Sequence, residues 1–378
     1  MNSFSPTPKE IACPHCKEGA GCCVLGPRDF PPVYAEAQQF FKGLGLLALP
    51  LHRGNPVGWR LRSKLAIRGD RERPLIGLYK EGTHDLVEIP HCPMHHPKIN
   101  LAVQYLKEFI QKAKLDPYDE KTGSGDLRYV QLDVQRSTQK VQLSVVSKER
   151  CPQIAELWEL QPDFWHSLWN NVNTRRDNVI FGTEWQHLAG EKYLWETLLD
   201  VPVAYLPASF KQANLDLFEK MLETIPRHLS PTSKVVEYYA GSGVIGLTLA
   251  RYCQSIICSE INPQSQECFE VSRKNLPPQD AQKLSFVTGS TDQLLNLLKQ
   301  GDVIIVDPPR KGLEKSLVAA LKNPSQSKTL IYISCGWNSF QRDCLSLLEG
   351  GWKLPAAEAY LFFPGTNHLE TLAVFVAK

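Results

Sequence analysis

The sequence carries little net charge and has no long hydrophobic run. Its 42 Lys and Arg residues are nearly balanced by 40 Asp and Glu residues, which leaves a formal net charge of +2. The overall charge therefore does not indicate a nucleic-acid-binding protein, and any basic surface must be local. The longest apolar run, residues 44–51, is interrupted by Gly45 and Pro50 and is too short to span a bilayer.

The start of the chain also lacks the features of a secretory signal. Residues 1–10 are polar and contain two prolines, with no basic region followed by an apolar one. We therefore expect a cytoplasmic protein that has no membrane partner. A length of 378 residues, of which 43% are hydrophobic, is sufficient for two or three domains with a large core.

Cysteine, in contrast, is abundant, with eleven residues. Cys13, Cys16, Cys22 and Cys23 fall within eleven positions, and Cys92 follows much later in a Pro-His-Cys-Pro segment. Clustered cysteines in a cytosolic protein indicate metal binding or catalysis rather than disulfides. A local group with one distant cysteine favours an iron–sulfur cluster over a zinc ribbon with two CxxC pairs, although zinc and unligated thiols remain alternatives.

Residues 58–69 read as a strand with one strongly basic face. Arg60, Arg62, Lys64 and Arg68 alternate with apolar residues, and no acid balances them on that face. Such a strand could lie along a phosphate backbone. The alternative is a solvated face of an antiparallel sheet, which is the usual meaning of alternation.

The region around this strand is predicted to mix helices and antiparallel strands. Residues 34–48 and 99–113 have the spacing of helices, and the second is amphipathic. Residues 126–134 and 140–146 alternate with period two around a polar turn, which predicts a hairpin. We therefore expect an α+β unit here.

After residue 231 the pattern changes to alternating strands and helices, which is typical of a doubly wound parallel sheet. Before this change, Ser209 is a plausible N-cap of a helix that continues to residue 229. A final hairpin is predicted to close the sheet. The predicted strands are residues 234–239, 255–260, 284–289, 302–306 and 329–334, with the hairpin at 358–363 and 371–376.

A glycine loop follows the first of these strands. Gly241, Gly243 and Gly246 match the GxGxxG spacing of nucleotide-binding loops, and the next strand ends in Glu260. This arrangement serves either a dinucleotide or S-adenosylmethionine, whose ribose hydroxyls the acid would bind. The acidic-proline turn that begins at Asp307 and the C-terminal hairpin favour S-adenosylmethionine.

Cys335 ends the last parallel strand, where α/β enzymes place their chemistry. A methyl donor beside a thiol suggests methylation of a pyrimidine at carbon-5, which is a poor nucleophile until a thiolate adds to carbon-6. A base must then remove the carbon-5 proton, and Glu370 is the candidate. The alternatives are a buried structural thiol and a surface acid.

Several motifs point to one family, which they resemble over nearly the whole chain. They are Arg60-Leu61-Arg62-Ser63-Lys64, Ser209-Phe210-x-Gln212-x-Asn214, Asp307-Pro308-Pro309-Arg310-Lys311-Gly312, Ser334-Cys335 and His368-Leu369-Glu370-Thr371. Together they resemble the RNA uracil-C5 methyltransferases, closest to the bacterial iron–sulfur 23S rRNA enzymes. The chain has Gly336-Trp337 where that family usually has Asn-Pro, and Glu237 where it usually has Asp.

The resemblance implies three parts: an iron–sulfur segment (1–33), an α+β RNA-binding domain (34–170) and a Rossmann-like S-adenosylmethionine-dependent methyltransferase domain (171–378). It implies Cys335 as nucleophile and Glu370 as base. The implied S-adenosylmethionine contacts are Gln212, Tyr239, Gly241, Glu260 and Asp307. The implied RNA contacts are Phe210, Arg60, Arg62 and Lys64. The implied ligands of a [4Fe–4S] cluster are Cys13, Cys16, Cys22 and Cys92, with Cys23 as an alternative.

From this resemblance we expect a monomeric enzyme that methylates carbon-5 of a uridine in RNA through a covalent cysteine adduct. The expected substrate is 23S rRNA, and tRNA is the alternative. A cytosine-C5 enzyme is disfavoured because those enzymes usually carry a second cysteine in the turn that here reads Asp307-Pro308-Pro309. The remaining rival is a noncatalytic RNA-binding protein with a cluster.

Overall fold

The structure is a computed structural model, and it describes residues 30–175, 177, 179–322 and 328–377. Within them the chain divides into two compact units. The central unit is Asn55–Glu196, and the C-terminal unit combines residues 30–54 with residues 197–377. This division differs from the expected boundaries at residues 33 and 170. No helix of the described ranges is both long and apolar enough to cross a membrane.

The C-terminal unit begins with helix α1 (Pro32–Gly43) and strand β1 (Leu51–Arg53). The helix ends earlier than the predicted residue 48, and Gly45 follows with a φ of +93°. Residues 30–54 belong to this unit because β1 pairs in parallel with a strand near the C-terminus. Local periodicity carries no information about such a distant partner.

The central unit contains a seven-stranded sheet with the order β4-β3-β2-β5-β6-β7-β8. Its pairs are antiparallel except β6 with β7. The predicted helix at 99–113 and the predicted hairpin are confirmed as α2 and β5–β6. The elements are β2 (Arg62–Gly69), β3 (Pro74–Tyr79), β4 (Leu86–Glu88), α2 (Pro97–Ala113), β5 (Leu127–Val134), β6 (Val141–Ser147), a 3-10 helix (Pro152–Ala155), α3 (Glu156–Leu160), β7 (Trp165–Val172) and β8 (Glu184–Gly190).

After residue 231, strands and helices alternate along the chain up to the final hairpin, as predicted, and β9, β10 and α4 precede them. The remaining elements are β9 (Leu194–Leu198), β10 (Val201–Tyr205), α4 (Leu215–Leu222), β11 (Lys234–Tyr238), α5 (Val244–Leu249), β12 (Ser255–Glu260), α6 (Pro263–Arg273), α7 (Pro278–Ala281), β13 (Leu284–Thr288), β14 (Val303–Val306), α8 (Lys315–Leu321), β15 (Thr329–Ser334), α9 (Trp337–Glu349), β16 (Trp352–Leu361) and β17 (Glu370–Ala377). Short 3-10 helices lie at Ile225–His228, Ala250–Tyr252 and Thr291–Gln300.

The prediction that Ser209 caps a helix is wrong. The Ser209 hydroxyl donates a 2.7 Å hydrogen bond to the carbonyl oxygen of Leu206 and so closes a turn. Helix α4 starts after Asn214, whose side-chain oxygen accepts a 3.2 Å hydrogen bond from the backbone N–H of Leu217. The same side chain donates to the carbonyl oxygen of Phe362, which ties this cap to the end of β16.

The C-terminal unit forms an eight-stranded sheet with the order β1-β16-β17-β15-β14-β11-β12-β13. Neighbouring strands are parallel except where β17 pairs with β15 and with β16. The final hairpin is therefore present, but it does not end the sheet, because β1 adds beyond it.

This topology determines where functional side chains can meet. The strand order reverses between β11 and β14, and open α/β sheets bind ligands at the carboxyl ends of strands next to such a point. Because β17 is antiparallel to β15, the start of β17 lies beside the end of β15, with Thr371 paired to Ser334. Their chain neighbours Glu370 and Cys335 therefore reach the same edge of the sheet.

Candidate active site

A cavity of about 610 Å³ opens at the carboxyl edge of the parallel strands. Every residue that the sequence indicated for the nucleophile, the base, the methyl donor and the target base lines this one cavity. These residues are Phe210, Gln212, Tyr239, Gly241, Glu260, Asp307, Cys335 and Glu370. They come from the ends of β11, β12, β14 and β15, from the start of β17 and from the segment before α4.

Cys335 lies in the turn between β15 and α9. It is the only cysteine among the described residues that is not buried. Its thiol points toward the carbonyl oxygen of Pro308, at 3.8 Å. Burial, together with the charges of Glu370 and Asp307, raises the pKa of this thiol to about 12 against the opposing charge of Arg310. The thiol is therefore protonated at neutral pH in the structure.

Glu370 is the first residue of β17 and is 6% exposed. Burial raises the pKa of its carboxyl to about 8, Asp307 acts in the same direction, and Arg310 opposes it. Asp307 lies at the end of β14 with part of its surface at the cavity wall, and desolvation by the surrounding protein raises its pKa to about 7. Two of the carboxyls that line the cavity, Asp307 and Glu370, thus act on the thiol of Cys335, and the negative forms of these three groups disfavour one another.

Arg310 is the cation that acts on these groups, and its sequence motif predicted no separate role for it. It lines the cavity, and its charge lowers the pKa of both Cys335 and Glu370. The sequence could have indicated a role for Arg310, because this arginine directly follows the acidic-proline turn Asp307-Pro308-Pro309. Its meaning depends on the fold, which brings this turn to the end of the neighbouring strand.

The glycine loop and Glu260 form the other end of the cavity. One carboxylate oxygen of Glu260 accepts a 3.1 Å hydrogen bond from the backbone N–H of Gly241. The other accepts from the N–H groups of Ile261 and Asn262, at 2.9 and 3.0 Å. This acid is thereby fixed at the end of β12. Gly243 has a φ of +75°, a conformation that glycine adopts without strain.

Glu237 supports this loop from inside the sheet. It is 1% exposed, and one of its oxygens accepts a 2.9 Å hydrogen bond from the backbone N–H of Gly246. The thiol of Cys258 donates to the same oxygen at 3.2 Å. Burial raises the pKa of Glu237 to about 8. The structure therefore gives this residue, known from the sequence only as a departure from the family pattern, a role in fixing the glycine loop.

Two aromatic residues line the cavity in different ways. Tyr239 has a φ of +61°, a strained conformation for a residue with a side chain, and its hydroxyl donates to the carboxylate of Glu314. Lys311 forms an ion pair with the same acid at 3.1 Å. Phe210 is instead 63% exposed, which is unusual for a phenylalanine and leaves its ring available to a planar ligand.

The loop after β14 is tied to the helix that follows Cys335. Asp343 of α9 accepts hydrogen bonds from the backbone N–H of Leu313 and the hydroxyl of Tyr332, both at 2.8 Å. The Ser339 hydroxyl donates a 2.8 Å hydrogen bond to the carbonyl oxygen of Arg310. The loop therefore holds a fixed position next to the thiol.

The departure at Gly336-Trp337 has a structural explanation. A Cβ atom at position 336 would collide with the carbonyl oxygen of Arg310 and lie 2.6 Å from the Ser339 hydroxyl, so this packing requires glycine. Trp337 is buried, and its ring packs against Phe40 and Phe41 of α1 at centroid distances of 5.5 and 5.9 Å. Helix α1 thus supports the start of α9.

The predicted RNA-binding cations lie in the central unit, and the expectation of an unbalanced basic face is wrong. Arg62 forms a 2.5 Å ion pair with the buried Asp133, its partner in the register of β2 and β5. Arg68 forms an ion pair with Glu120. The other two cations lie over aromatic rings: Arg60 is 4.8 Å from the centroid of Trp59, and Lys64 is 4.6 Å from that of Phe181.

The predicted cluster ligands are described only in part. Cys13, Cys16, Cys22 and Cys23 lie outside the described residues. Cys92 is buried in the loop between β4 and α2, where Asn100 donates a 3.1 Å hydrogen bond to its carbonyl oxygen. In the part of the chain that the structure describes, no three His, Cys, Asp or Glu side chains are grouped to hold a metal ion.

Comparison with known sequences agrees with the chemistry of the cavity. Residues 199–378 match the family model described as tRNA (uracil-5-)-methyltransferase. An uncharacterized RNA methyltransferase of Protochlamydia amoebophila is 42% identical, over 98% of this chain and 99% of its own length. An uncharacterized RNA methyltransferase of Halalkalibacterium halodurans is 30% identical, over 100% of this chain and 86% of its own length.

A solved structure shows the same fold. The Pyrococcus abyssi tRNA (uracil-54, C5)-methyltransferase, in complex with S-adenosyl-L-homocysteine, superposes with a TM-score of 0.74 and 25% identity. The match covers 91% of this chain and 82% of that one. This chain therefore belongs to the S-adenosylmethionine-dependent RNA uracil-5 methyltransferase family.

Proposed function

We propose that this protein methylates carbon-5 of a uridine in 23S rRNA, with Cys335 as the nucleophile and Glu370 as the base. The observation that supports this most directly is the shared cavity of the two side chains, which follows from the antiparallel pairing of β15 and β17. A thiol and a carboxyl on one face of a bound ring are the two groups that the chemistry needs.

The methyl donor fits the end of the cavity that lies against the glycine loop. Its volume is within the range of small-molecule sites, about 300–1,000 Å³. Glu260 would take the ribose hydroxyls, and the backbone at Gly241 would approach the amino-acid part. Gln212, Tyr239 and Asp307 complete the wall. When bound, S-adenosylmethionine supplies an electrophilic methyl group.

The first step on the RNA is addition of the Cys335 sulfur to carbon-6 of the uracil. The thiol must lose its proton to react, and its pKa of about 12 makes this costly in the unliganded cavity. The Arg310 guanidinium favours the thiolate. Bond formation moves the ring electrons toward carbon-5 and O4. Carbon-5 then attacks the methyl group of the donor, the bond between that methyl group and the donor's sulfur breaks, and S-adenosylhomocysteine leaves.

After methyl transfer, Glu370 removes the carbon-5 proton, the bond between the Cys335 sulfur and carbon-6 breaks, and the thiolate leaves. The ionised form of a carboxyl with a pKa of about 8 is a much stronger base than an ordinary glutamate. Burial produces this basicity because it disfavours the charged form.

The target uridine must be unstacked to enter the cavity, because carbon-6 cannot be reached inside a helix. Phe210 offers an exposed aromatic face at the cavity for a base that has left its stack. We therefore assign Phe210 to the target base and the deeper residues to the methyl donor.

Methylation of purified RNA tests this proposal. Unmodified 23S rRNA and unmodified tRNA are incubated with the protein and labelled S-adenosylmethionine, and the digested nucleosides are separated by mass spectrometry. We expect 5-methyluridine in 23S rRNA, and none with Cys335→Ser. Label in tRNA alone would overturn the rRNA assignment, and the names of the matched family model and of the Pyrococcus abyssi enzyme make tRNA the alternative. Label on another nucleoside would overturn the reaction.

A [4Fe–4S] cluster held by Cys13, Cys16, Cys22 and Cys92 is a further part of this proposal. Two features support it: the sequence spacing, and the burial of Cys92 in a loop held by Asn100. Iron and sulfide analysis after anaerobic purification should give about four of each per chain. Cys92→Ala should lose most of the iron, whereas Cys151→Ala, also buried in the central unit, should keep it. Zinc in place of iron would contradict the cluster.

A further inference from the structure

The central unit contains a cavity of about 430 Å³ whose lining shares no residue with the catalytic cavity. It lies over the face of the sheet formed by β2, β3 and β5, next to the loop that follows β3. Its main side chains are Lys64, Tyr79, Thr83, His84, Tyr129 and Ile180. We call it the Tyr79 cavity. Its volume is in the range of small-molecule sites.

Lys64 provides the cationic side of the Tyr79 cavity. It is the middle cation of β2, between Arg62, which pairs with Asp133, and Arg68, which pairs with Glu120. Its side chain is exposed, and its ammonium group lies over the Phe181 ring. Partial desolvation and the nearby charge of Arg62 lower its pKa, against the opposing charge of Asp133. An anionic ligand group beside this ammonium would favour its charged form.

The aromatic wall of the cavity is held in place before any ligand arrives. The Arg68 guanidinium lies 5.4 Å from the ring centroids of both Tyr79 and Tyr129. The same guanidinium donates to the Tyr79 hydroxyl and pairs with Glu120. His84 meets the edge of Tyr79 at a centroid distance of 5.8 Å. A wall that is ordered in advance loses little conformational entropy on binding.

The floor of the cavity is apolar but not fully covered. Tyr129 packs with Ala66 and Val146, and Tyr79, Ile180 and Phe181 lie against this group while keeping part of their surface accessible. A flat ring could cover these side chains. The cavity therefore combines an apolar and aromatic surface with a cation at its side, which matches a base joined to a phosphate.

We infer that the Tyr79 cavity binds one unstacked nucleotide of the RNA substrate, distinct from the target uridine. The base lies against Tyr79 and Ile180, and its phosphate lies near Lys64. This inference rests on the proposed function, because it assumes an RNA substrate that extends beyond the methylated nucleotide. The cavity then contributes to choosing the RNA, whereas the catalytic cavity reads only the uracil.

Steady-state kinetics of the full-length protein test the inference. Ile180→Glu puts a negative charge in the wall, and Lys64→Ala removes the cation. For both we expect the KM for RNA to rise at least tenfold, with kcat at saturating RNA and the KM for S-adenosylmethionine unchanged within twofold. The matched control is Leu160→Glu, at an apolar residue of the same unit that is 43% exposed and lies outside the cavity lining. We expect it to behave as wild type.

Photocrosslinking gives an independent measurement. The RNA substrate carries 4-thiouridine at single positions outside the target, and the crosslinked peptides are identified by mass spectrometry. A crosslink within residues 77–84 or at Ile180 supports the inference. The inference would be overturned if both cavity variants had the wild-type KM for RNA and crosslinks formed only at other residues. That result would not affect the proposed methylation reaction. If Ile180→Glu fails to fold, Lys64→Ala decides, because its side chain is exposed. Absence of methylation by the wild-type protein would instead refute the proposed function.

Discussion

The buried carboxylate of Asp343 accepts a 2.8 Å hydrogen bond from the backbone N–H of Leu313. Leu313 belongs to the loop that also carries Asp307 and Arg310, and Asp343 belongs to the helix that starts just after Cys335. One hydrogen bond therefore connects the loop of Asp307 and Arg310 to helix α9, which starts just after Cys335. The hydroxyl of Tyr332 donates to the same carboxylate, which ties β15 into this connection.

Removing this carboxylate should destabilise the fold and slow methylation. Asp343→Ala leaves the Leu313 N–H and the Tyr332 hydroxyl without their acceptor in a buried site, at a cost of about 2–4 kcal/mol. Chemical unfolding measures the loss, and kcat should fall because the Arg310 loop loses its anchor. Tyr332→Phe removes only one donor and should cost clearly less. If Asp343→Ala and Tyr332→Phe lost equal amounts of unfolding free energy, the hydrogen bond from Leu313 would not be what anchors this loop.

Replacing the base should trap the covalent adduct. In Glu370→Gln the sulfur of Cys335 can still add to the ring, but the carbon-5 proton stays and elimination stops. We expect a protein–RNA complex that survives denaturing electrophoresis, and we expect none in the double variant with Cys335→Ser. Glu349→Gln, at the end of α9, is the matched control and should turn over normally. Rapid turnover by Glu370→Gln would refute its assignment as the base.

Glu370 should also give the folded protein a distinct dependence on pH. Its pKa rises from 4.5 to about 8 on folding, so the folded state binds this proton more tightly. The resulting stabilisation is complete below about pH 4.5 and is lost as the pH rises through about 8. Its full size is no more than about 5 kcal/mol, at 1.36 kcal/mol per pKa unit.

Glu370→Gln isolates this contribution, because glutamine does not titrate. The unfolding free energy of the variant, relative to that of the wild type, should increase between pH 5 and pH 8.5. Chemical unfolding at both pH values measures the difference. A difference independent of pH would show that the carboxyl does not carry a raised pKa in the folded protein. Glu349→Gln again provides the comparison.

Gly336 should tolerate no side chain. In Gly336→Ala the new methyl group collides with the Arg310 carbonyl, and overpacking of this kind costs about 1–3 kcal/mol. Because the strain falls on the loop beside the thiol, we also expect kcat to fall at least tenfold. Gly43→Ala is the control, since a Cβ there meets nothing within 4 Å. Unchanged stability and kcat in Gly336→Ala would contradict the described packing.

The sequence alone determined the parallel strands after residue 231 and the turns that follow them. Parallel strands buried on both faces read as short apolar runs, and the turns after them read as glycine or acidic-proline motifs. These signals are local, because burial and turn geometry restrict the residue types at each position. Such patterns indicated Gly241, Glu260, Asp307, Cys335 and Glu370, whereas Phe210, Gln212 and Tyr239 were implied only by the family resemblance. All eight residues line the one cavity.

Only the tertiary structure decided which distant residues meet. The basic face of β2 could not be judged from the sequence, because Asp133 lies 71 positions away from Arg62 along the chain. The position of β1 depended on its pairing with β16. The cap of helix α4 is Asn214 rather than Ser209, and the Asn214 side chain also donates a hydrogen bond to the residue that follows β16. Ion pairs, strand register and shared caps depend on contacts between segments far apart in the chain. Periodicity reports only which face of each segment is buried.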